Sequence, residues 1–300
     1  MGFDFSTFTT PVTTATILAS GATRRQLDDA VRNREVRRLL RGVFVHASVE
    51  DGVGLRVQAV GQVVAPRAVV CDRTAAWIHG CEVFDYRELD VPPPVESYVL
   101  RGRDPTDRPE CAGGTRDLVP ADWCEIAGLR VTTPLRTAMD LGCKLPPRTA
   151  LAAMDALMRE HGVTLAKMVR LLPRYRRRRG VVQLRRLVPL TDPSAESQPE
   201  SWMRLEIVRA GLPDPTPQYW VLVGGVPTYR LDLAWPHARV AVEYDGEEWH
   251  TGPEARERDR VRRQWLRDHG WTVIVLTKES FRPGAVDAWI HEVRQALRLV

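Results

Sequence analysis

The sequence lacks the features that would place it in a membrane or among disulfide-bonded secreted proteins. No apolar run is long enough to cross a bilayer, and residues 1–10 lack the basic-then-apolar order of a signal peptide. The five cysteines are scattered along the chain, without the spacing of metal ligands. We therefore expect a cytoplasmic protein with no membrane partner and with reduced, structural thiols.

The composition is that of a globular chain with room for two or three domains, since 44% of its 300 residues are hydrophobic. The net charge of +5 permits binding to a polyanion but does not demonstrate it. Arginine is concentrated in residues 24–41, 174–186 and 256–267. These stretches would have to face one side of the molecule to form a nucleic-acid surface.

Three acidic residues carry the strongest chemical signal in the chain. Tyr229 to Gly246 reads Y-R-L-D-L-A-W-P-H-A-R-V-A-V-E-Y-D-G, which predicts two strands joined by a turn near residues 236–239. Glu243 and Asp245 lie two positions apart, so they share a face of their strand at a separation of roughly 7 Å. Pairing of the strands as a hairpin brings Asp232 onto that face.

Carboxylates crowded in this way repel one another, and a bound cation relieves the repulsion. Oxygen-only ligands favour Mg²⁺ or Mn²⁺ over zinc. The alternative is a polar, solvent-facing hairpin whose acids keep a sheet edge soluble. Val240, Val242 and Tyr244 supply a packing face, and Gly246 ends the strand at the acids, as a site would require and as a turn would also show.

Residues 1–52 have the pattern of a small DNA-binding module. Thr23, with Gln26 three residues later, forms a capping box that predicts a helix from Thr23 to about Arg32. Two short strands follow, with a turn near Gly42, and the order helix, turn, helix, hairpin is that of a winged helix. Arg24 and Arg25, in the first turn of the helix, can read base edges. The arginines of the hairpin can contact phosphate: Arg37, Arg38 and Arg41. The alternative is a small helical domain with a solvated basic face.

Residues 53–190 form a predicted mixed α+β middle region without a catalytic constellation. Residues 63–80 combine a short strand with a helix, strands are expected within 89–100 and 129–133, and residues 101–115 are expected to be a loop. The basic run 174–180 is interpreted as a solvated linker or helix face, or as a strap that contacts phosphate.

Residues 191–300 begin with a polar segment, followed by a helix expected from near Glu200 to Gly211. A second helix, basic and amphipathic, is expected from Arg256 to Gly270. We expect several of its arginines to be free to contact DNA, although a solvated helix face is the default interpretation: Arg258, Arg260, Arg262 and Arg263.

Two parts of the chain resemble known families. Glu200 to Pro213 (E-S-W-M-R-L-E-I-V-R-A-G-L-P), Gln218, the acidic hairpin and His269 to Leu276 (H-G-W-T-V-I-V-L) resemble an uncharacterised domain family related to very-short-patch repair endonucleases, within the PD-(D/E)XK nuclease-like superfamily. The N-terminal module, together with Val69 to Gly80 and V-T-T-P-L-R-T-A-M-D-L at 131–141, resembles AbiEi-type antitoxin and regulator proteins. The resemblances imply an α/β, multidomain α+β chain whose last domain is a central mixed sheet flanked by helices.

The nuclease resemblance implies phosphodiester hydrolysis with Mg²⁺ (or Mn²⁺) as cofactor. It assigns Asp232 as the metal-binding aspartate, Glu243 as the acid of the second half-motif and Asp245 as a further ligand. Two supporting residues are Glu200, which matches an acid of the first helix, and Gln218 on the strand before Asp232.

The chain departs from the nuclease pattern at two positions. Asp245 stands where a typical member has lysine, for which Lys278 is a distant substitute. His250 is expected to act as general base or acid, or to be an exposed loop histidine. It lies one residue beyond the usual histidine position, which Trp249 occupies.

Two functional hypotheses follow. The first is a DNA-binding protein with a metal-dependent endonuclease domain, acting in repair, defence or a mobile element. The second is a transcriptional regulator or antitoxin, with a toxin as protein partner, whose nuclease-like domain no longer cuts. Binding of RNA or of another protein by the sheet domain has no specific residues in its favour.

Overall fold

The computed structural model describes residues 2–84, 88, 92–105, 108–246 and 253–298, with only the backbone for 253–256. Within this part of the chain, none of the helices is both long and apolar enough to cross a membrane. All five cysteines are free thiols, as expected. The chain divides into two compact units, residues 1–145 with 160–188 and residues 146–159 with 189–300.

The first unit opens with a small helical module closed by a hairpin. Its elements are β1 (Val12–Thr13), α1 (Thr14–Ala19), α2 (Arg24–Arg32), β2 (Val36–Leu40) and β3 (Val43–His46). The capping box at Thr23 is formed, because its hydroxyl accepts from the Gln26 N–H and the Gln26 side chain accepts from the Thr23 N–H. Strands β1, β3 and β2 form a sheet in that order. The predicted helix and hairpin are therefore confirmed.

The rest of the first unit is built on a five-stranded sheet in the order β6–β5–β4–β8–β7. Its strands are β4 (Val69–Val70), β5 (Val95–Leu100), β6 (Cys111–Arg116), β7 (Trp123–Ile126) and β8 (Leu129–Thr132). Its helices are α3 (Val53–Gly61), α4 (Asp72–Ile78), α5 (Pro134–Lys144), α7 (Leu165–Leu171) and α8 (Val181–Leu187). Helix α6 (Pro147–His161) belongs mostly to the second unit.

The expectation of a loop over residues 101–115 is wrong for its last part. Strand β6 pairs in parallel with β5 along its whole length. A Cβ on Gly113 would lie 1.7 Å from the Ser97 carbonyl oxygen, so only glycine allows the two backbones to approach this closely. The glycines that suggested a loop are therefore those that permit an edge strand.

The second unit contains a four-stranded mixed sheet in the order β12–β11–β10–β9. Its strands are β9 (Thr216–Val223), β10 (Val226–Trp235), β11 (Val240–Tyr244) and β12 (Thr272–Leu276). Strands β9, β10 and β11 pair antiparallel, whereas β11 and β12 pair in parallel. Its remaining helices are α9 (Gln198–Arg209), α10 (Pro253–Asp268) and α11 (Ala285–Ala296).

The two faces of this sheet bury separate cores. Met203 of α9 and Trp289 of α11 pack with Val242 and other strand residues on one side. Leu266 of α10 packs with Leu231 and the strand residues on the other side. The sheet is therefore flanked by helices on both faces, which confirms the predicted α+β architecture and places α10 over the acidic strands.

Candidate functional site

The hairpin of β10 and β11 brings Asp232 next to Glu243. The antiparallel register pairs Leu233 with Val242. The next residue on each strand is therefore Asp232 on β10 and Glu243 on β11, and these two lie opposite each other. The Tyr244 N–H donates to Asp232 Oδ2 at 2.9 Å, which holds the aspartate against the end of β11. The predicted hairpin and turn are confirmed, and Arg239 supplies the left-handed conformation of that turn, with φ of 52°.

Glu200 and Gln218 form a second pair of polar side chains in this unit. Glu200 lies in the first turn of α9, where it accepts hydrogen bonds from the Ser197 hydroxyl and the Glu196 N–H. Gln218 Nε2 donates to Glu200 Oε2 at 2.7 Å. The Gln218 Oε1 atom is buried and has no hydrogen-bond partner among the described residues. An acceptor oxygen is therefore left without a donor beside a carboxylate.

Asp232 experiences the combined effect of burial and of its acidic neighbours. Burial raises its pKa to about 7, and the negative charges of Glu200 and Glu243 act in the same direction. The Tyr244 N–H and the Arg262 guanidinium oppose this rise in pKa. Glu200 and Glu243 therefore lie close enough to Asp232 to disfavour its negative charge.

Two arginines of α10 neutralise the other acids. Arg262 makes an ion pair with the buried Glu243, including an Nη1–Oε2 hydrogen bond of 3.0 Å. Arg263 Nη2 donates to Asp245 Oδ2 at 2.6 Å and lies 2.7 Å from Asp259 Oδ2. The expectation that these two arginines are free is therefore wrong, because α10 packs on the face that carries the acids. Arg260 pairs on the surface with Glu257, and Arg258 also has an interaction within the protein.

The donor set fits a hard cation, although the arginines compete for it. Carboxylates and the unpaired Gln218 oxygen are the ligands that Mg²⁺ and Mn²⁺ prefer. A cation would also offset the negative charges of Glu200 and Glu243, which add to the effect of burial on the pKa of Asp232. Among the described residues, no group of three or more acids, histidines or cysteines is arranged as a metal-binding cluster. Binding a cation at Glu243 and Asp245 therefore requires their arginines to shift.

Two further candidates do not contribute to this geometry. His250 lies outside the described residues. Lys278 is exposed at the start of the 3₁₀ turn Lys278–Phe281 that follows β12. In the part of the chain that the structure describes, the cations that contact Glu243 and Asp245 come from α10 instead.

The N-terminal arginines divide into two groups. Arg24 of α2 lines an open cavity with a volume of about 290 Å³, together with Arg38 and Arg41 of the hairpin. Arg25 is exposed next to Arg24. Arg37 differs, because its Nη2 donates to the Val49 carbonyl at 2.6 Å. The structure thus brings the first turn of α2 and the hairpin together, while it ties Arg37 to the protein backbone.

Comparison with known families defines the class of the protein. The REase_MTES_1575 family model matches residues 217–297, which include the acidic hairpin. The AbiEi antitoxin C-terminal domain matches residues 68–190. The chain therefore joins an AbiEi-type region to a restriction-endonuclease-like domain, and both resemblances seen in the sequence are confirmed.

Two relatives from Mycobacterium tuberculosis match nearly the whole chain. They are "Uncharacterized protein Rv2248" of strain ATCC 25618 / H37Rv and "Uncharacterized protein MT2308" of strain CDC 1551 / Oshkosh. Each is 34% identical over 272 residues, which cover 89% of this chain and 96% of the relative. The chain belongs to the family of these mycobacterial proteins.

Proposed function

We propose that this protein is a metal-dependent DNA endonuclease whose C-terminal unit hydrolyses phosphodiester bonds. The observation that carries the proposal is the half-buried Asp232, which lies within electrostatic reach of the buried Glu200 and Glu243 in a restriction-endonuclease-like domain. Buried carboxylates that raise one another's pKa destabilise the fold, and such clusters are typical of functional sites. The unpaired Gln218 oxygen adds a further ligand-binding group.

Asp232 and Glu243 would hold Mg²⁺ or Mn²⁺, with Asp245 as a third ligand. A bound divalent ion polarises the scissile phosphate and lowers the pKa of an attacking water. Gln218 orients Glu200 through its amide nitrogen, which leaves the amide oxygen available. His250 remains our candidate for general base or acid.

Arg262 would supply the positive charge that lysine supplies in a typical member of the superfamily. It comes from α10 rather than from β11, and it already donates to Glu243 and to the Arg230 carbonyl. A guanidinium freed from Glu243 could donate two parallel hydrogen bonds to a phosphate. Arg262 of α10 would therefore replace the positive charge that is missing where Asp245 occupies the lysine position.

The N-terminal module would bring the nuclease domain to DNA. Arg24, Arg38 and Arg41 line one concave surface, and Arg25 lies beside it. Arg37 would act by holding the hairpin to Val49 rather than by direct contact with phosphate.

The test is cleavage of supercoiled plasmid and of short duplex, hairpin and single-stranded DNA, with Mg²⁺ or Mn²⁺ and with EDTA. We expect nicking by the wild type with metal, and its loss in Glu243→Gln. The matched control is Glu257→Gln, which removes an exposed carboxylate paired with Arg260 on α10. Cleavage by Glu243→Gln at the wild-type rate would refute the site.

A second function is favoured by the arginines themselves. Arg262 and Arg263 neutralise Glu243 and Asp245, and the motif lysine is absent. Both features suit a transcriptional regulator or antitoxin that retains the fold without cutting, and an AbiEi antitoxin domain is present. Folded wild-type protein that binds DNA but leaves every substrate intact with Mg²⁺ and Mn²⁺ would establish this alternative, with a toxin as its expected protein partner.

A further inference from the structure

A cavity of about 620 Å³ in the first unit is lined predominantly by arginine. Seven of its twelve lining residues are arginines, and Asp117 is the acid among them. The arginines come from four segments: the residue after β5 (Arg101), strand β6, helix α5, and residues 174–178 after α7. The volume lies within the range of small-molecule sites. Five of the seven arginines make ion pairs with aspartates, and the other two, Arg176 and Arg177, give the lining an excess of positive charge that favours an anion as ligand.

The floor of the cavity is held rigidly by buried aspartates. Arg136 Nε donates to Asp140 Oδ2 at 2.8 Å, and its Nη1 donates to Asp122 Oδ2 at 2.9 Å. Asp140 also accepts from Arg116 at 3.0 Å and from the Tyr175 hydroxyl at 2.7 Å. A guanidinium fixed in this way loses little freedom when it binds a ligand.

One nitrogen in this floor receives no hydrogen-bond partner from the part of the chain that the structure describes. Arg136 is only 2% exposed, and its Nη2 is buried without a hydrogen-bond partner among the described residues. An unsatisfied buried donor on a charged group is unfavourable. Because this nitrogen has almost no accessible surface, an oxygen of a bound anion reaches it only after the lining shifts slightly, and phosphate then matches the planar fork of arginine.

The rim of the cavity adds two cations that no described residue neutralises. Arg176 and Arg177 are exposed, and the described residues provide neither with an ion-pair partner. Arg177 has a φ of 69°, a left-handed backbone conformation that is unfavourable for any residue other than glycine. At the end of residues 174–180, the backbone of Gly180 packs directly against α5, because a Cβ at this position would lie 2.0 Å from the Cys143 carbonyl oxygen. The segment is thus positioned over the cavity by its backbone.

The cavity also has an apolar side, formed by Leu100, Leu118 and Val119. A ligand that combines a phosphate with a less polar group would use both parts of the lining. We infer that this cavity binds a phosphate-bearing small ligand, a nucleotide or free phosphate, through Arg136, Arg176 and Arg177. This site lies in the AbiEi-type region and is independent of the proposed nuclease activity.

Calorimetric titration of the full-length protein in EDTA tests the inference. The probes are ADP, inorganic phosphate, adenosine and an eight-nucleotide single strand. We expect ADP or phosphate to bind and adenosine not to bind. Tighter binding of ADP than of phosphate identifies a nucleotide site, and equal affinity identifies a site for free phosphate. Binding of the oligonucleotide alone, or of none of the probes, would overturn the inference.

Substitutions at the rim locate the binding without disturbing the floor. Arg176→Gln with Arg177→Gln should weaken binding of ADP or phosphate about 10-fold or more, because two charge-assisted contacts are lost. Arg185→Gln with Arg186→Gln removes the same charge from exposed positions of α8 outside the cavity, and it should leave the affinity unchanged. Equal weakening in both double variants would show that general charge, and not this cavity, attracts the anion.

Arg136→Lys tests the floor, because it keeps the positive charge but removes the guanidinium fork. We expect it to weaken ADP or phosphate binding further than the rim variant does. If this variant does not fold, the rim variants still decide the outcome.

Discussion

Asp232 illustrates how a single carboxylate can oppose the stability of its own fold. Burial, together with Glu200 and Glu243, raises its pKa to about 7. The folded state therefore binds a proton more tightly than the unfolded state does. The stability that this proton confers is complete below the unfolded pKa and is lost as the pH rises through about 7.

Asp232→Asn should remove this pH dependence. In EDTA, the variant and the wild type should be similarly stable near pH 4. Near pH 8 the variant should be more stable, on the order of 2–4 kcal/mol, because Asn cannot ionise. Urea unfolding at both pH values measures the difference. A constant difference across the range would contradict the raised pKa.

Arg262 is a residue whose loss should destabilise this unit, because it neutralises a buried carboxylate. Arg262→Gln leaves the buried Glu243 without its ion partner, so the free energy of unfolding in EDTA should fall by about 2–3 kcal/mol. Arg260→Gln is the control, because its pair with Glu257 is exposed and should contribute less than about 0.5 kcal/mol. If the two variants unfold alike, the ion pair with Glu243 does not form.

At the scale of elements, the pairing of β5 and β6 depends on one glycine. Gly113→Ala would place a Cβ 1.7 Å from the Ser97 carbonyl oxygen. We expect it to destabilise the protein by about 3 kcal/mol, because the two strands must separate. Gly114→Ala is the matched control in the next position, where a Cβ meets no atom within 4 Å. Thermal unfolding of both variants checks the prediction.

Several elements were predictable because their signals are local. The capping box at Thr23, the turn before β11 and the helix ending near Gly211 each depend on residues within a few positions. Strand β6 was not predictable, because its glycines are also typical of loops. What makes it a strand is its close approach to Ser97, a residue distant in sequence.

For the whole molecule, DNA binding is the property that charge should govern. Arg24→Gln with Arg41→Gln should weaken DNA binding and reduce the slope of log K against log salt by about 2, since each phosphate contact contributes roughly 0.9. The double variant at Arg185 and Arg186 has the same net charge and should keep the wild-type slope. Fluorescence anisotropy over a range of salt concentrations measures both. An unchanged slope in the first variant would exclude the N-terminal concavity as the contact.

The sequence by itself determined the local elements, the acidic hairpin and the resemblance to two families. These depend on periodicity, on capping and turn residues, and on motifs that extend over short stretches. The tertiary structure decided which charges meet. It placed Arg262 and Arg263 on Glu243 and Asp245, and it gathered arginines from four segments around one cavity. Ion pairs between distant segments depend on how helices pack on sheets, and no local pattern in the chain specifies that packing.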